Sequence, residues 1–115
     1  MRVKTKGKPV PLEATIVSDI KDGLKAIGVR FIVKTHGSIF QVAGLPDLIL
    51  IAPRVGRFVG MEVKRPVYGV VSELQKAILR KINQAGGYGC VVCGVDEAQE
   101  FLRKADAGDQ APPVD

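Results

Sequence analysis

The stretch GLPDLILIAPRVGRFVGMEVK, from Gly44 to Lys64, restricts the fold more than any other part of the chain. Asp47 to Ala52 and Phe58 to Lys64 are apolar, β-prone runs, and the five-residue link PRVGR between them suits a hairpin. With the turn centred near Arg54 and Val55, Asp47 falls opposite Glu62. Directly opposed residues of an antiparallel ladder have Cβ atoms about 5 Å apart. Lys64 lies two residues beyond Glu62 and therefore shares its face, whereas Val63 points to the other face, into the core. The hairpin thus places two acids and one cation on one face at one end.

Two carboxylates at that separation repel each other unless something lies between them. A hard divalent cation is the natural occupant, since Mg²⁺ takes octahedral oxygen ligands from carboxylates, waters and substrate phosphate. Such an ion polarises a phosphodiester, and the Lys64 ammonium would orient the attacking water or offset charge on the phosphate. The plainer alternative is a Glu62–Lys64 ion pair on a solvated face, with Asp47 as a turn residue after Pro46.

The remaining elements set this hairpin in an α/β order. Leu12 to Ile27 reads as a helix, with Ile16, Ile20, Leu24 and Ile27 at helical spacing and Glu13 near the same stripe; Gly23 weakens it. Val29 to His36 reads as a strand, with a further strand fragment around Phe40. Ser72 opens a second helix whose apolar stripe is Leu74, Ile78, Ile82 and Ala85. Tyr88 to Gly94 is a short strand, and Asp96 is expected to cap a third helix, Glu97 to Ala105. The order is α-β-β-β-α-β-α, a mixed sheet flanked by helices. At 115 residues there is room for one domain, expected over residues 12–105. Residues 1–11, with Arg2, Lys4, Lys6 and Lys8 and no acid, form a basic arm, and residues 106–115 a disordered tail.

No apolar run reaches the roughly 18 residues that span a bilayer, no signal peptide is expected, and two cysteines demand no oxidising compartment. The expected location is therefore cytoplasmic. Lys and Arg number 17 against 12 Asp and Glu, a formal net charge of +5, which fits a polyanionic partner.

Gly44-Leu45-Pro46-Asp47, Glu62-Val63-Lys64 and the downstream Gly69-x-x-Ser72-x-x-Gln75 together resemble the VRR-NUC family (virus-type replication-repair nuclease) of the PD-(D/E)XK superfamily. The resemblance covers residues from about Leu12 to Gly94. It implies a restriction-endonuclease-like α/β core and a Mg²⁺- or Mn²⁺-dependent endodeoxyribonuclease. It also implies that Asp47, Glu62 and the Val63 main-chain carbonyl ligate the metal, that Lys64 acts on the nucleophilic water, and that Glu13 supplies an additional acid. Gln75 matches a glutamine that lines the site, yet Ser72-x-x-Gln75 is also a capping box, and sequence does not decide between the two uses. Stand-alone members resemble Holliday-junction resolvases in acting as homodimers on branched DNA. They come from bacteriophages, which would place the chain in the cytoplasm of a bacterial host. A non-catalytic DNA-binding module keeping the same fold is the alternative.

Among the remaining polar residues, Arg65 adjoins the motif and is the first candidate for phosphate contact, followed by Lys34 and by His36, the only histidine. Arg54, Arg57, Lys76, Arg80 and Lys81 read as solvated charge. Cys90 and Cys93 are spaced as CxxC, but in a strand residues three apart face opposite ways, so buried thiols are expected rather than a zinc site.

Overall fold

The hairpin register follows from the alternation. In the computed structural model, which describes residues 9–35 and 42–115, β2 (Leu48–Ile51) and β3 (Phe58–Val63) pair antiparallel, with Leu48 opposite Met61 and Leu50 opposite Val59. One residue further, the same register sets Asp47 against Glu62. The remaining elements are α1 (Glu13–Ala26), β1 (Ile32–Lys34), α2 (Glu73–Gln84), β4 (Tyr88–Val92) and α3 (Val95–Asp106). The strands form one sheet in the order β1-β2-β3-β4, antiparallel except for the β3–β4 pair, which α2 connects. This is the α-β-β-β-α-β-α mixed sheet flanked by helices that the sequence led us to expect.

One face of the sheet carries the main core. Leu48, Leu50, Val59, Met61, Val63, Tyr88, Cys90 and Val92 pack with Ile16, Ile20 and Leu24 of α1 and Ala98, Leu102 and Ala105 of α3. Gly23, a weak point of α1 on propensity, lies where α3 crosses. A Cβ there would come within 2.4 Å of Val95, and Gln99 donates to the Gly23 carbonyl.

The other face is thinned for α2. A Cβ on Gly60 would lie 2.9 Å from Pro46 and 3.1 Å from Ile82, and one on Gly89 would lie 3.1 Å from Leu79 and from Asn83. The missing side chains let α2 settle close to the strands. Of its residues it is Leu79 that α2 buries fully, while Leu74 is exposed and Ile78 and Ile82 are half-buried. Leu74 and Ile78 face Gly44 and Ile82 faces Gly60, as the expected stripe requires, and Leu79 joins them against Gly89, while Ala85, the C-cap residue, is exposed.

Two boundaries differ from expectation. β1 is three residues long, and the possible strand fragment around Phe40 lies outside the described residues. Helix α3 begins at Val95 after Gly94, so Asp96 is not its cap; Glu97 reaches back to the amide of Cys93 at 2.7 Å instead. Cys90 is buried and Cys93 half-buried, both free thiols whose pKa values burial pushes up.

Arg57 and Asp106 organise the turn end of the hairpin. Asp106 closes α3 and accepts from the amides of Arg54 and Val55 at 2.9 and 3.0 Å. Arg57, expected to be solvated, donates to the carbonyls of Gly86, Gly87 and Asp109 and lies over the Tyr88 ring. Of residues 106–115, expected to be a disordered tail, Asp106 belongs to α3 and 107–115 hold no helix or strand. Their Asp109 and Val114 carbonyls accept from Arg57 and Arg80. Asp106→Ala removes two charge-assisted bonds and leaves two turn amides to find new partners, so we expect a loss of about 2–4 kcal/mol in urea unfolding. Glu100→Ala, on the exposed side of the same helix, should leave the urea midpoint nearly unchanged.

Candidate active site

Alternation along the strands puts Asp47 and Glu62 on the α2 face, at the end of the hairpin away from its turn. Both are buried, Asp47 to 3 % and Glu62 to 1 % exposure. Asp47 is tied to the sheet by the amide of Val63, which donates to its Oδ2 at 2.7 Å. The preceding Pro46 and the Asp47 backbone are in turn fixed by Thr35. Its hydroxyl donates to the Pro46 carbonyl at 2.7 Å, and its amide to the Asp47 carbonyl at 2.9 Å.

Glu62 directs its two oxygens differently. Oε2 receives the Gln75 amide nitrogen at 2.9 Å and the Lys64 ammonium at 3.2 Å. Oε1, among the described residues, is the buried side-chain oxygen or nitrogen without a hydrogen-bond partner. Burial is the main force raising the Glu62 pKa, from 4.5 to about 8, and the adjacent Asp47 carboxyl pushes the same way. The ammonium of Lys64 offsets only part of this.

Gln75 serves both of its possible uses. Ser72 and Gln75 form a capping box: the Ser72 hydroxyl accepts from the Gln75 amide at 3.1 Å, and the Ser72 amide donates to Gln75 Oε1 at 2.8 Å. With Oε1 engaged at the cap, the amide nitrogen is the end left to face Glu62. The cap thereby fixes which way the amide points.

The other candidate residues are placed less centrally. Glu13 sits half-buried in the first turn of α1. Among the described residues no group of three or more His, Cys, Asp or Glu is arranged so that it could hold a metal ion. Lys34 pairs with Leu48 and so lies on the face opposite the carboxylates, at the exposed end of β1. His36 lies outside the described residues. Arg65 points to the N-terminal segment, where it donates to the Pro11 and Val10 carbonyls at 3.0 and 3.1 Å and covers the Tyr68 ring.

An acid from a Gly-x-Pro-Asp turn, an acid and lysine two apart on the facing strand, and a glutamine from the helix after it meet at one point of a mixed sheet. The sequence model of the VRR-NUC domain matches residues 20–97, more than half of the chain. The chain belongs to the VRR-NUC family. Asp47, Glu62, Lys64 and Gln75 all fall inside the matched span, and Glu13 falls before it. Searches of curated proteins and of solved structures returned no match. VRR-NUC membership assigns a nuclease-type function in DNA processing, with DNA as the substrate. No helix among the described residues is long and apolar enough to cross a membrane.

The raised pKa of Glu62 has a measurable consequence. Between about pH 4.5 and 8 the folded protein keeps a proton on this carboxyl that the unfolded chain has released. Metal-free stability therefore falls as pH rises through that window, and this contribution levels off above it. In chelator, the difference in melting temperature between wild type and Glu62→Gln should shift steadily in favour of the variant from pH 5 to pH 8. A difference independent of pH would contradict the assignment.

Proposed function

We propose that this VRR-NUC chain is a metal-dependent, structure-specific endonuclease that hydrolyses phosphodiesters in branched DNA such as Holliday junctions or flaps, acting as a homodimer. The observation that carries the metal-dependent step is Glu62 Oε1, a buried oxygen without a donor beside a second buried carboxylate. Protein alone gains nothing from such an arrangement, because each desolvated oxygen costs free energy unless it is bonded. A hard divalent cation satisfies it.

Asp47, Glu62 and the main-chain carbonyl of Val63 would hold Mg²⁺ or Mn²⁺. When bound, the ion supplies Lewis-acid polarisation of the phosphodiester and offsets charge on the leaving oxygen. Glu13 would be the additional acid that the family resemblance implies. The tasks left to the chain itself follow from where its groups sit. Lys64 is 15 % exposed and spans from the buried acid to the mouth of the site. It can orient the water that attacks phosphorus in line, donate a hydrogen bond to a phosphate oxygen and counter the charge that accumulates there. Gln75 holds Glu62 Oε2 and leaves Oε1 as the unbonded oxygen. The choice of branched DNA and of a homodimer is supported by the resemblance to stand-alone members, since two-fold symmetry supplies two sites for symmetrical cutting of a junction.

The decisive assay compares linear duplex, flap and four-way-junction DNA in Mg²⁺, Mn²⁺ or EDTA. Wild type should cut only with a divalent cation and should prefer branched DNA. Lys64→Ala and Asp47→Asn should lose about 10²–10⁴-fold in rate while still binding DNA. Binding without cutting in either metal would instead assign the non-catalytic module. Light scattering checks the dimer.

A further inference from the structure

The segment that leaves Lys64 makes a tight turn with an exposed aromatic residue at its tip. Tyr68 is 63 % exposed, between Val67 and Val70, which are also exposed. Val67 has a φ of +75°. A β-branched residue keeps this left-handed conformation only where the surroundings impose it. The bond from the Gly69 amide to the Arg65 carbonyl, at 2.9 Å, closes the turn. The chain folds back so far that a Cβ on Gly69 would lie 2.4 Å from the Lys64 Cβ. Gly69, the residue after Tyr68, therefore lies against the lysine of the site, and Tyr68 stands at the tip of the turn that follows it.

The ring is also backed. The Arg65 guanidinium lies 4.9 Å from its centroid, and that guanidinium is itself fixed by the Pro11 and Val10 carbonyls. A cation on one face anchors the ring while much of the side chain stays in solvent. A single exposed aromatic needs no explanation by itself. A strained, braced and cation-backed one next to a phosphodiester site does.

We propose that Tyr68, backed by Arg65, is a stacking platform for an unpaired base of the DNA strand held at the neighbouring site. The proposal rests on the nuclease reading of that site and specifies its substrate class. Within a duplex the faces of each base are taken up by its neighbours, so a platform of this kind selects DNA with an unstacked nucleotide beside the scissile phosphate. The ring reads a π-face, not hydrogen-bonding edges, so selection is for structure with little regard to sequence.

The test measures binding by fluorescence anisotropy in EDTA, with a continuous duplex and a flap of the same sequence, the flap carrying 2-aminopurine at the branch. Tyr68→Ala should weaken flap binding about tenfold, as expected for loss of one stacked base, leave duplex binding unchanged and abolish quenching of the 2-aminopurine. Tyr68→Phe, which keeps the ring, should behave as wild type. Equal losses on both DNAs, no loss on the flap, or a Phe variant as weak as Ala would each overturn the platform. So would a change of oligomeric state in Tyr68→Ala with flap affinity intact, which would make the patch a self-association surface. Cutting assays in Mg²⁺ and Mn²⁺ separate the two readings. Flap binding that depends on Tyr68 without any cutting overturns the nuclease reading alone, and cutting by a protein whose flap binding ignores Tyr68 overturns the platform alone.

Discussion

Two carboxylates withdrawn from water at one end of a hairpin set the terms for everything around them. Asp47 takes the Val63 amide, and Glu62 takes Gln75 and Lys64 on one oxygen, leaving the other bare. Desolvation opposes the charge on Glu62, and Asp47 opposes it further. A fold selected for stability alone would replace such a pair with apolar residues of similar volume. Its presence in the interior marks a place that stability alone does not account for.

The supporting scaffold uses few parts, several of them twice. Helix α2 crosses from β3 to β4 as any parallel connection requires. Glycines at 60 and 89 let it lie close to the sheet, and closeness brings its first turn to Glu62. That first turn is capped by Ser72 and Gln75, and the cap also orients the amide toward the acid. Helix start and site geometry are thus one interaction, so a change at Ser72 or Gln75 acts on both.

Arginines flank β3 at its two ends. Arg57, just before the strand, gathers the carbonyls that follow α2 and that of Asp109; Arg65, two residues after the strand, gathers the carbonyls of Val10 and Pro11. The planar guanidinium suits both tasks, because it serves several acceptors at once and lies flat on an aromatic ring, here Tyr88 and Tyr68. Each of the two segments flanking the helices and strands is in this way tied to the strand that bears Glu62.

The hairpin register was legible in the sequence because a strand alternates with period two and the five-residue link leaves one pairing that buries Leu48, Leu50, Val59 and Met61 together. From that pairing the shared face of Asp47, Glu62 and Lys64 follows without further information. Local cues also located the helix started by Ser72. They misplaced the start of α3, where Asp96 looked like a cap but Gly94 took the position, and they missed Leu79, the residue that α2 buries most deeply. The double use of Gln75, the Asp106 bonds to the hairpin turn and the divergent roles of the arginines belonged to tertiary structure. Each depends on partners from 13 to more than 50 residues away in sequence, and an arginine that grips a carbonyl reads the same as one in solvent until the chain closes around it. Periodicity constrains neighbours along an element, whereas the direction of a hydrogen bond between elements is decided only by how closely they pack.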